Sequence, residues 1–202
     1  MQERSDNTFH PGQHLSFGDD DPVSGNLSNE VVMTQENHSE QLKKFEEHYH
    51  YDAGYLHEFL QHSPSGYEKF ANFQPLSQHR ETLDIDTYWI AKLASMQVAD
   101  CGHCVQLNVR MALEAGVDRK WVAASLNGGS NLPEHLKDIY DFSTSVASYQ
   151  TIDPVLRERI NHALNKAQLI ELGVCIATVA IFPTIKRALG YTVTCSLVEI
   201  MV

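Results

Sequence analysis

The stretch Ala99-Asp100-Cys101-Gly102-His103-Cys104-Val105-Gln106-Leu107-Asn108 decides how this chain is read. It carries two cysteines three positions apart at the head of an apolar helical pattern. The spacing predicts a helix from Cys101 or Gly102 to Ala115, closed by Gly116. Cys101, Cys104, Val105, Asn108, Ala112 and Ala115 then fall on one stripe. Cβ atoms three residues apart on a helix are about 5–6 Å apart, and a disulfide needs roughly 3.5–4.5 Å. A small tightening of the first turn closes that gap, and Gly102 eases it because it has no Cβ. The unsatisfied N–H groups of that turn favour a thiolate by only about 0.3–1 kcal/mol. A thiol of pKa near 8.5 needs a further base or cation for activation. His103 is the nearest candidate along the chain, and Asp100 is adjacent at the expected cap.

Working outward, the helix before the dithiol is predicted from Asp84 or Asp86 to about Val98, with Trp89, Ile90, Leu93 and Met96 on its apolar side. Upstream, Ser39 is a candidate cap for a helix carrying Leu42, Phe45 and Tyr49. A second helix fits Ala53 to His62, Pro64-Ser65-Gly66 breaks it, and a third covers Tyr67 to Phe73. Downstream, Asp118 caps Arg119 to Leu126, residues 127–131 form a loop, and Pro133 opens another helix. Asp153-Pro154 starts a long pattern that is charged to Lys166 and then apolar. Leu172 to Phe182 carries no charge and reads as a central core helix, too short to span a bilayer. Pro183 kinks or restarts it, and Gly190 ends the last helix, Thr184 to Leu189. Strand patterns are scarce, so the predicted fold class is all-α.

The chain has 202 residues and a net charge of −11, which suits one domain and argues against a nucleic-acid partner bound through its phosphates. Residues 1–38 hold seven acidic residues against Arg4 alone. They lack periodicity and read as a flexible acidic tail, with the helical domain over 39–202. His10 and His14 in that tail, and His48, His50, His57 and His62 beyond it, lack metal-ligand spacing. No apolar leader or long apolar run is seen, so no membrane association is expected. Four cysteines without a leader point to a reducing, cytoplasmic setting. Cys175 reads as a core thiol, and Cys195 lies in an apolar C-terminal segment.

The ADCGHC stretch, its helix and the AGVDRKWVAA continuation resemble the carboxymuconolactone decarboxylase / alkylhydroperoxidase AhpD-like superfamily. The KAQLIELGVCIATVAIFPTIKRALG stretch resembles that fold's later helices more weakly. The resemblance implies an all-helical homo-oligomer that reduces hydroperoxides or disulfides through its dithiol. It implies no bound cofactor or metal, and an external thiol as reductant. It also implies that Cys104 attacks and Cys101 resolves, with His103 matching the histidine before the second cysteine. Two positions depart from the pattern: Asn108 stands where a histidine is usual, and Trp89 where a glutamate is usual. Asparagine cannot accept a proton. Glu171, alone at the head of an apolar helix, is the candidate replacement, a buried carboxylate with a raised pKa, beside the reading that it is structural. Two other functions share these residues. One is a lyase of the same superfamily. The other is a zinc or interaction module using Cys101, His103 and Cys104 with Cys175 or Cys195.

Overall fold

The computed structural model describes residues 35–99, 102–191 and 202. The chain divides into two units, Met1–Val32 and Met33–Val202. The first unit lies outside the described residues, as do His10, His14, Asp100, Cys101 and Cys195. The second is all-α, with ten helices and no strand among the described residues. They are α1 (Gln35–Tyr49), α2 (Gly54–His62), α3 (Pro64–Ser77), α4 (Ile85–Val98), α5 (Gly102–Glu114), α6 (Arg119–Leu126), α7 (Glu134–Ala147), α8 (Pro154–Ala163), α9 (Lys166–Val179) and α10 (Ile181–Ala188).

Local capping sets most of these boundaries. The Asp84 carboxylate accepts from Thr87 N at 2.8 Å, Asp118 from Lys120 N at 2.9 Å, and Asp153 from Val155 N at 2.7 Å. Asn165 and Gln168 form a reciprocal capping box that opens α9. This box divides the long pattern expected from Pro154 onward into two helices. Pro64 also acts differently from expectation. It occupies the first turn of α3, where its missing N–H costs nothing, and so begins a helix rather than ending one. Ser39 lies inside α1, and residues 35–38, expected in the tail, are helical, with His38 buried.

The central helix is α4, not the apolar run near Cys175. Every residue from Thr87 to Met96 is buried, and α5, α6, α7 and α9 pack around it. A helix covered on all sides shows no single apolar stripe, which hides its centrality from periodicity. α9 brings Leu172, Cys175, Ile176 and Val179 to this core. With α10 it forms a stretch, Lys166–Ala188, that is long and apolar enough by composition to cross a bilayer. The eleven uncharged residues counted in the sequence understate that length. Two charges in the stretch, Glu171 and Lys186, are buried inside the bundle. Its outward side carries the exposed Ile170, Gly173, Ala177 and Ala180.

Candidate functional site

α5 places the second cysteine. Cys104 lies in its first turn, 2 % exposed, and forms part of the wall of a cavity of ≈250 Å³. Asn108, Leu107 and Met111 follow on the same helix at steps of three and four and share that wall. α4 supplies Lys92 and Met96, one turn apart. α1 supplies Leu42 and Phe45, and α10 supplies Phe182. Tyr51, Tyr55 and Tyr67 add three hydroxyl-bearing rings.

Tyr51 reaches this cavity because α1 ends in a left-handed turn. His50 has φ +47°, and Tyr51 N donates to Glu46 O at 3.2 Å, five residues back. Arg110 of α5 donates to the carbonyls of Tyr49 and His50, and Glu114 accepts from Tyr49 Oη at 2.7 Å and pairs with His48 Nε2 at 2.9 Å. The end of α1 is thereby fixed to the helix that carries Cys104. Tyr51 Oη then stands 3.5 Å from Cys104 Sγ. Lys186 Nζ donates to the same hydroxyl at 3.4 Å and lies 4.7 Å from the Tyr51 ring centroid. Burial, followed by Tyr55 and Cys104, raises the Tyr51 pKa, so the hydroxyl stays protonated.

The other sequence candidates separate. His103 is exposed while Cys104 is buried, as one residue of α5 turns the side chain by about 100°. The hydroxyl at Cys104 Sγ comes from Tyr51, and the expected imidazole faces elsewhere. Asn108 is buried on the cavity wall, where its Nδ2 donates to the Cys104 carbonyl at 2.8 Å. Trp89 is a core residue, edge-on to Tyr88. Cys175 is sealed in the core, where its thiol donates to Tyr88 O at 3.7 Å and burial pushes its pKa up to about 12.

Glu171 is buried as expected, but its chemistry is the reverse of the expectation. Its carboxylate accepts from Glu81 N at 3.0 Å, Thr82 N at 2.8 Å and Leu83 N at 2.8 Å. Burial alone would raise its pKa, but these backbone donors outweigh burial and hold it below the usual carboxylate value. It anchors the segment before α4 and does not line the cavity. Among the described residues, a group of three possible metal ligands occurs at His79, Glu81 and Glu171, whose donor atoms lie within 4.8 Å of one another. The N–H groups on the Glu171 oxygens already account for that carboxylate without a cation.

Sequence reasoning missed Lys92 and Lys186. Both are buried, at 7 % and 3 % exposed; Lys92 is the one lysine of an apolar helical run, whereas Lys186 is followed directly by Arg187. For Lys92 that isolation was the available signal, since a lysine is almost never buried without a partner. Lys92 Nζ donates to Ser77 O at 2.9 Å and Tyr88 Oη at 2.8 Å, with the Tyr88 and Trp89 rings 5.0 and 5.4 Å away. Ser77 ends α3, so its carbonyl lies at the negative end of that helix. That geometry is worth up to about 2 kcal/mol, against several kcal/mol for burying an ammonium. Burial accordingly lowers the Lys92 pKa. Comparison with family models, with curated proteins and with solved structures finds no match for this chain.

Proposed function

We propose that this protein is a thiol-dependent peroxidase that reduces a small organic hydroperoxide in the cavity beside Cys104. The observation that carries this reading is the Cys104 thiol on the cavity wall, touched by a Tyr51 hydroxyl that is itself backed by the Lys186 ammonium. A buried thiol suits a small substrate that enters a cavity better than a protein disulfide, which needs a sulfur at the surface.

The Cys104 thiolate attacks the distal peroxide oxygen and the O–O bond breaks. Tyr51 gives its proton to the departing alkoxide, which leaves as an alcohol, and takes up the proton that Cys104 lost on becoming a thiolate, while the Lys186 ammonium holds the hydroxyl in place. Cys104 is now a sulfenic acid. The Cys101 thiol attacks it, water leaves, and a Cys101–Cys104 disulfide forms. An external dithiol then reduces that disulfide by exchange and is itself oxidised. The resemblance of the Cys-x-x-Cys helix to AhpD-like proteins agrees with this cycle and with a homo-oligomeric assembly. The Tyr51–Lys186 pair takes the place of the histidine and glutamate that the sequence lacks.

The test is consumption of tert-butyl hydroperoxide with dithiothreitol as reductant. Cys104→Ser is expected to abolish it, while Cys101→Ser is expected to keep one turnover and accumulate the sulfenic acid, trapped by dimedone at Cys104. Unchanged consumption by Cys104→Ser overturns the proposal.

A further inference from the structure

We propose that the cavity takes an amphipathic carboxylate, with its single negative charge held by Lys92 and its apolar body along Leu42, Phe45, Leu56, Met96 and Phe182. The inference deepens the peroxidase reading by naming its substrate class, an apolar hydroperoxide with a carboxylate at its other end.

Three observations carry it. Lys92 is the only charged side chain among the described residues that line the cavity. Its hydrogen-bond partners, Ser77 O and Tyr88 Oη, are neutral, and they take two of the three ammonium protons, leaving one for a ligand. Most of the remaining wall is aliphatic or aromatic, and at ≈250 Å³ the space fits a short chain or one ring better than a drug-sized molecule. A buried charge is normally matched by an opposite charge, and no acidic side chain among the described residues lines the cavity, so the missing partner of Lys92 is an anion. One cation with one donor left matches a carboxylate better than a phosphate dianion, which needs several donors.

The test is calorimetric titration of the reduced protein, without peroxide, with octanoate and with 1-octanol. Octanoate is expected to bind at least tenfold more tightly than octanol, and Lys92→Met is expected to remove that preference while leaving octanol binding in place. Equal affinity for the two ligands in the unmodified protein overturns the inference, whether or not the variant folds. So does a preference that survives Lys92→Met but disappears in Lys186→Met, which places the anion at the other buried lysine. These titrations involve no sulfur chemistry. If octanoate preference is present and tert-butyl hydroperoxide consumption is absent, the peroxidase reading fails alone. Consumption without a carboxylate preference leaves the peroxidase reading and removes this one.

Discussion

Glu171 and Lys92 are both charged side chains buried in the same helical bundle, and their surroundings treat them in opposite ways. Glu171 meets three backbone N–H groups from one short segment, and it does not line the cavity. Lys92 meets a carbonyl, a hydroxyl and two aromatic faces, and it borders an open cavity. A satisfied buried charge is part of the scaffold. A buried charge with neutral partners and room beside it leaves a place for a ligand, which is the role we propose for Lys92. Burial alone does not distinguish them; what decides is whether the fold itself completes the coordination.

That contrast can be broken most directly at Glu171. Glu171→Ala strips the acceptor from the Leu83 N–H in the interior and from two partly buried N–H groups. It is expected to cost about 2 kcal/mol of stability, read as a lower urea midpoint. The same group gives a pH signature. Because its folded pKa is held below the unfolded value, its stabilisation is fully present above about pH 4.5 and is lost as pH falls through the folded value. The difference in urea midpoint between wild type and Glu171→Gln should therefore stay constant from neutral down to about pH 4.5 and shrink as pH is lowered further. A difference independent of pH would contradict the carboxylate anchor. The smallest effect is expected at Lys92. Lys92→Met replaces a buried ammonium of incomplete pairing by an apolar side chain of similar length. The change in stability is expected to be within about 1 kcal/mol, or in the stabilising direction. A loss as large as that of Glu171→Ala would make Lys92 scaffold as well and end the contrast.

The dithiol helix and Glu171 show where legibility in the sequence stops. The position of Cys104 at the head of α5 was legible, because three-residue spacing on a helix is a local property. The partner of its sulfur was not. Tyr51 is fifty-three residues away and reaches Sγ only because α1 turns at His50 and is held by Arg110 and Glu114. His103 was favoured by adjacency, yet adjacency on a helix places side chains on different faces. For Glu171, isolation among apolar residues correctly indicated burial. The direction of its pKa depended on donors about ninety residues distant.

The amino-acid sequence by itself determined the all-α class, the caps at Asp118 and Asp153, a cap at Asp84 or Asp86 that the structure places at Asp84, and the helix stops at Gly116 and Gly190. Each of these is settled within a few residues by a hydrogen bond or by a backbone angle that glycine adopts readily. Only the tertiary structure decided that α4 is central, that Glu171 accepts from the backbone of residues 81–83, and that Cys104, Tyr51 and Lys92 line one cavity. The reason is physical: capping and periodicity act over one or two turns, whereas a cavity exists only where side chains from several helices meet and leave a gap.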